Sequence, residues 1–349
     1  MTAAALAART VGCLIALFVL GSLMAGPALA DWVAKPVAAP AKVTEIRQAG
    51  DAVYAWAGDR WFKLSLCKDQ PICLVAGQPP ELQAAPDGIP NGTVASADGD
   101  GATSAWYTEP TDRYPHGTLG NKIEAGAIIV QDVYGHRVTQ ELPPDQVFED
   151  LTPRIADFDG DGRNEVLAIR SSLRAGASLV AYDLVGSSLI EVDTTPPIGQ
   201  PNGWLNVAGI GDFTGDRSID IAAVLTPDTG GTLEIMTLDR GHFRVVDSEK
   251  GFSNHIFGSA ELGMSAVARI NDDGIADLAV PDTERRVLRM MTVAGGSLRE
   301  IARVALDGVI VTAIGVLNAM DAPTFVLGLE DGRLMAISQE APPPKKPGH

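Results

Sequence analysis

Apolar and polar positions alternate along this chain in short runs, without a long 3.6-residue pattern that would mark a helix. The runs "EVLAIRSS", "ASLVAYDLVG", "SLIEVDTTPP" and "LNVAGIGDF" succeed one another from residue 165 to residue 213, punctuated by Gly, Asp and Pro. Such runs predict strands, and the turn residues between them predict tight antiparallel connections. The series returns as "IDIAAVLTP", "GTLEIMTLD", "HFRVVDS", and again as "ADLAVPD", "RVLRMMTVAG", "SLREIARVALD". Upstream, "KVTEIRQ", "AVYAWAG", "RWFKLSL" and "ICLVAG" make a further set. The last set, "VIVTAIGVL", "TFVLGLEDG" and "LMAIS", has only three runs, so its missing strand is expected from the N-terminal segment around Val43. Four strands in about 55 residues is the size of a propeller blade. The expectation is an all-β fold, a β-propeller of about six four-stranded blades over residues 43–339, closed by the N-terminal strand. Residues 31–42 then read as a linker and 340–349 as a disordered tail. A pair of two-sheet sandwiches is the competing architecture; solenoid repeats are shorter than these.

An acidic loop recurs with the strands. In "DFDGDGRNEVLAI", from residue 157, Asp157, Asp159, Asp161 and Glu165 occupy places one, three, five and nine, with glycines at places four and six. Carboxylates packed this closely repel one another unless a cation sits among them, and the glycines permit a tightly curled backbone. Alternate side chains of such a loop point inward, and Arg163 at place seven offers its carbonyl. Calcium takes six to eight oxygens at about 2.3–2.6 Å, which this set supplies. A second copy lies 55 residues on, with Asp212, Thr214, Asp216 and Asp220 and the Ser218 carbonyl, although Arg217 stands where the glycine was; a weaker site is expected there. A third copy, 57 further, keeps Asp273 and Asp277 but has Arg269 at place one, a guanidinium that could neutralise the acids as a metal would. Upstream, Ser96, Asp98, Asp100 and Ser104 carry too little charge to be assigned an ion.

The D-x-D-G-D-G-x-x-E signature before an apolar strand, repeated every fifty-odd residues, resembles the FG-GAP or VCBS-type repeat family, clearest over residues 95–280. That resemblance implies a β-propeller with calcium in the loop between the first two strands of a blade, and partners met on the opposite face or the side. It implies no particular reaction.

The first thirty residues change the setting. Arg9, the apolar run "VGCLIALFVLGSLMAG" and the A-x-A arrangement of Ala28 and Ala30 read as a cleaved secretory signal peptide, expected to deliver the chain to the periplasm or outside the cell. The run is shorter than the ~20 residues of a membrane span, so no integral membrane segment is expected in the mature chain. The formal net charge of the whole chain is −17, which disfavours nucleic acid and anionic membrane surfaces and attracts divalent cations. In an oxidising compartment Cys67 and Cys73 of "CKDQPIC" are expected to form a disulfide, since no second Cys or His pair is near enough for a metal site.

No catalytic motif stands out. The five histidines form no H-E-x-x-H pair, and no serine lies in a G-x-S-x-G elbow. The best candidate ligand-binding surface is "AWYTEPTDRYPHGTLGN", which places Trp106, Tyr107, Tyr114 and His116 around Arg113. Exposed aromatics of this kind stack on sugars or anchor partners. Trp106 and Tyr107 could instead pack between blades, whereas Tyr114 and His116 are expected to be exposed. The preferred reading is a non-enzymatic, calcium-stabilised binding or scaffold module for a protein or glycan. A carbohydrate-active hydrolase or lyase, with acid and base drawn from distant blades, is the alternative.

Overall fold

The computed structural model describes residues 31–271 and 273–340; the expected signal peptide and the tail beyond residue 340 lie outside them. Among the described residues there are twenty-six strands and one 3-10 turn, Pro227–Thr229, so the fold is all-β. No helix among them is long and apolar enough to cross a membrane.

Three sheets are antiparallel meanders of four strands in chain order. The first runs through Val43–Ala49, Ala52–Ala57, Arg60–Leu66 and Ile72–Ala76. The others are Leu205–Gly211, Asp220–Leu225, Gly231–Asp239 and His242–Phe252, then Ala266–Ala268, Asp277–Pro281, Val287–Ala294 and Ser297–Ala305. Such a succession is what a β-propeller requires. Cys67 and Cys73 are disulfide-bonded across the hairpin of the first sheet, their Cα atoms 5.7 Å apart.

The final sheet consists of Gly315–Leu317, Thr324–Gly328, Leu334–Gln339 and Trp32–Val37. Trp32–Val37 pairs antiparallel with Leu334–Gln339 over six residues, from Trp32 opposite Gln339 to Val37 opposite Leu334. This corrects the sequence reading, which placed these residues in a linker and sought the added strand around Val43. Val43 instead opens the first sheet. The strand contains Pro36 and lies at the sheet edge, the position within a sheet where proline is tolerated.

The remaining two sets are not separate. Ala95–Ser96, Asp100–Gly101, Ser104–Thr111, Glu124–Gln131 and Arg137–Glu141 join Arg154–Ala156, Arg163–Ser172, Gly176–Val185 and Ser188–Thr194 in one sheet that a linking strand brings to ten. The link is Gln146–Phe148, paired with Arg163–Ser172 on one side and, through Phe148 and Ala125, with Glu124–Gln131 on the other. Phe148 is fully buried, stacked on Tyr107 at 5.3 Å and edge-on to Tyr182 at 6.3 Å, so one aromatic contacts both sets.

First strands of successive sheets approach one another closely, and small residues make that possible. A Cβ on Gly209 would lie 2.4 Å from Val267 Cγ2, and one on Gly315 would lie 3.2 Å from Ile46 Cγ2. Ile46, Ala208, Val267 and Val316, one from each of four first strands, line a common cavity of about 1310 Å³. The first sheet packs its apolar face, with Val53, Ala55 and Leu64, on Leu317, Val326 and Ala336 of the final sheet.

Candidate metal centre

The loop between Arg154–Ala156 and Arg163–Ser172 is held by its own carboxylates. Asp157 Oδ1 accepts from the Gly160 amide at 2.8 Å and Oδ2 from the Gly162 amide at 3.0 Å. Asp159 accepts from the Asp161 amide at 3.1 Å and Asp161 from the Arg163 amide at 2.8 Å. Gly160 and Gly162 have φ of 77° and 91°, the left-handed region that side chains disfavour, which turns the chain back on itself. Glu165, at the start of a buried strand, reaches back to accept the Phe158 amide at 2.8 Å.

The curl brings one carboxylate oxygen from each of Asp157, Asp159, Asp161 and Glu165 within 4.8 Å of one another. Two ligands on opposite sides of a calcium ion, each at about 2.4 Å, are separated by about that distance, and an all-oxygen donor set is what this hard cation takes. The residues therefore fit the ion. Electrostatics point the same way: burial, then the charges of Asp159, Asp161 and Asp157, push Glu165 up to about 8, although the Phe158 amide opposes this. Asp159 is raised too, by burial and by Asp161 and Asp157. A divalent cation would relieve both.

The upstream loop docks beside this one. Asp100–Gly101 pairs in parallel with Arg163 and Asn164, and the Asn164 side-chain amide donates to the Asp98 carbonyl at 2.9 Å and the Ala102 carbonyl at 3.1 Å. Asp98 and Asp100 thus brace the loop from its neighbour through backbone groups.

The second copy is built alike but gathers less charge. Gly215 and Arg217 amides donate to Asp212, and the Ser218 amide donates to Asp216. One oxygen of Asp220 is taken by the Phe213 and Thr214 amides and the Thr214 hydroxyl, each at 3.0 Å. Among the described residues, only the 157–165 set brings three or more acidic groups within 4.8 Å; Asp212, Asp216 and Asp220 are not so assembled. Arg217 occupies the left-handed region, φ 76°, where the first copy has glycine.

In the third copy Arg269 is exposed and forms no ion pair with Asp273 or Asp277. The expected neutralisation by its guanidinium is therefore corrected: Asp277 is fully buried and is held by the Ile270 and Asn271 amides at 2.8 and 3.2 Å. Sequence reasoning missed that place nine serves the backbone in all three loops. The signal was the apolar residue at place two, Phe158, Phe213 and Ile270, each buried with its amide aimed at the acid.

The proposed ligand-binding aromatics are not a surface. Trp106, Tyr107 and Tyr114 are buried, and the His116 side chain is only 10% exposed. Trp106 and Tyr107 lie in Ser104–Thr111, and the Arg113 guanidinium is spent on the Gln146 and Leu142 carbonyls. His116 instead joins a buried network that no motif announced. Its Nδ1 pairs with Glu149 at 2.5 Å, and Ser171 donates to the other Glu149 oxygen at 2.5 Å. Glu124 nearby is fully buried, with neither oxygen hydrogen-bonded. Burial, then the charges of Glu149 and Asp150, push it up to about 9.

No family model matches this chain, and no curated protein matches it. Its shape is similar to that of the WD40 domain of Toxoplasma gondii coronin, at 12% identity and a TM-score of 0.44, with 91% of this chain and 89% of that one covered. The C-terminal WD40 domain of Sif2 is similar at 8% identity and a TM-score of 0.42, covering 90% and 100%. Rhamnogalacturonan lyase YesW is similar at 12% identity and a TM-score of 0.39, over 82% of this chain and 57% of that one.

Proposed function

We propose that this chain is exported, loses residues 1–30, and works in the periplasm or outside the cell as a calcium-stabilised β-propeller of the FG-GAP or VCBS repeat type. It acts as a non-enzymatic binding or scaffold module for a protein or glycan. Six four-strand sets supply six blades, with Gln146–Phe148 as a strap between two of them. The carrying observation is the convergence of Asp157, Asp159, Asp161 and Glu165 on one point, on a loop whose glycines commit it to that shape. Asp157, Asp159, Asp161, Glu165 and the Arg163 carbonyl hold the ion. The 212–220 loop, with Thr214 in place of the Asp159 charge and the Ser218 carbonyl matching that of Arg163, binds more weakly. An ion bound only by the folded state stabilises it by about 2.7 kcal/mol at a hundred times its Kd. Thermal unfolding in calcium and in chelator tests this: calcium raises Tm, and Asp161→Ala removes most of the gain. Equal Tm in the two buffers would refute the metal role.

One observation favours the carbohydrate hydrolase or lyase reading. Glu45 and Glu261 line the same cavity, and burial raises the Glu261 carboxyl above its ordinary value. Sugar cleavage abolished by Glu261→Gln would establish it.

A further inference from the structure

The two faces of the first sheet differ in kind. One is the apolar face packed on the final sheet, with Val53, Ala55 and Leu64 almost fully buried. Cross-strand pairing puts Glu45 opposite Trp56, Trp56 opposite Trp61, and Arg47 and Lys63 on either side of Tyr54, all on the other face. In a closed ring this face would seal against the next set of strands. Here no residue of the first sheet belongs to the apolar cluster that holds that set, among the described residues, and Lys63 and Val75 are exposed.

What the face carries is suited to a ligand. Trp56 and Trp61 meet edge to face with centroids 5.5 Å apart, and the Arg47 guanidinium lies 4.8 Å over the Trp61 ring. Glu45 pairs with Arg47 at 2.7 Å, while Lys63 makes no ion pair among the described residues. Glu45, Arg47 and Lys63 also line the cavity of about 1310 Å³, where Glu261 lies close enough to feel the charges of Glu45 and Arg47. Leu66 and Met320, 48% and 63% exposed, stand on the same lining.

We infer that this cavity and the tryptophan-bearing face beside it bind a neutral oligosaccharide. The inference deepens the binding-module reading and rests on it. Aromatic planes accept the apolar C–H faces of a pyranose ring, and the near-balanced charges offer each hydroxyl both a donor and an acceptor. A polyanion would meet three carboxylates, Glu45, Asp51 and Glu261, against Arg47 and Lys63. The volume exceeds the ~300–1,000 Å³ of ordinary small-molecule pockets, which suits several linked sugars.

The test is calorimetry and affinity electrophoresis of the full chain, in calcium, against gluco-, galacto- and chito-oligosaccharides, with oligouronates and a peptide library as competing arms. Binding of a neutral oligosaccharide is expected, weakened about tenfold by Trp61→Ala. Lys63→Ala, a change at an exposed position, should weaken it with Tm unaltered, which separates loss of binding from loss of fold. Binding only to oligouronates or peptides, no neutral ligand in the panel, or affinity indifferent to both variants would overturn the inference. Calcium-dependent Tm would then still stand, so the two readings fail separately. Cleavage of the bound sugar would support the site and refute the non-enzymatic role.

Discussion

The Glu165 carboxylate accepts the amide proton of Phe158, seven residues before it, and the same bond joins Asp220 to Phe213 and Asp277 to Ile270. The repeat therefore contains two devices that a single acidic signature conceals. One is a buried acid that fastens the loop to the strand after it, kept in all three copies. The other is a cluster of exposed or half-buried acids, gathered with that buried one, which among the described residues only the first copy assembles.

Asp277 tests the fastening alone. Asp277→Ala leaves the Ile270 and Asn271 amides without their acceptor and should cost about 1–3 kcal/mol, while Asp277→Asn, which keeps an acceptor oxygen, should recover most of it. Urea unfolding in chelator measures both, and the ordering should persist in calcium. Equal stability of the two variants would contradict the assignment.

Arg217 is strained where its counterpart Gly162 is not. Relief of the left-handed backbone at φ 76° should make Arg217→Gly more stable by about 1 kcal/mol, less the entropy glycine loses on folding. A shift of the urea midpoint to higher concentration is expected, and a shift to lower concentration would show that the arginine side chain contributes more than its backbone costs.

Glu124 makes stability depend on pH. Its carboxyl, pushed up to about 9 in the fold from an ordinary value of 4.5, binds more protons folded than unfolded between those limits. Stability is therefore full below about 4.5 and is lost as pH rises towards 9. Glu124→Gln should flatten that decline and leave the variant more stable than the parent at alkaline pH. Parallel Tm profiles for the two proteins from pH 5 to pH 9 would refute this.

The strand runs and acidic loops were legible because both repeat. Alternation marks a strand wherever it lies, and four acids in nine residues cannot sit together without an explanation. What was hidden depended on partners far along the chain. Trp32–Val37 carries Lys35 and Pro36 and becomes a strand only because Leu334–Gln339 presents an edge to it. From the sequence Tyr114 is expected at the surface, and Trp106 and Tyr107 either there or in the interior, because composition shows that a segment is aromatic, not which way it points. Glu124 and Glu149 carry no sequence signal, since nothing local distinguishes a carboxylate enclosed by other strands. The Arg269 reading failed because a charge at the expected place in a loop does not compel its side chain to turn inward.

The six-residue pairing of Trp32–Val37 with Leu334–Gln339 imposes an order of events on a chain that emerges from its N-terminal side. Residues 32–37 have no partner until some three hundred residues have followed them, so the final sheet is the last to be completed. Until then Leu334–Gln339 is an open edge available to any other strand. Joining residues 339 and 32 by a short turn, and opening the chain elsewhere, would convert this distant pairing into a local hairpin and should hasten that last step.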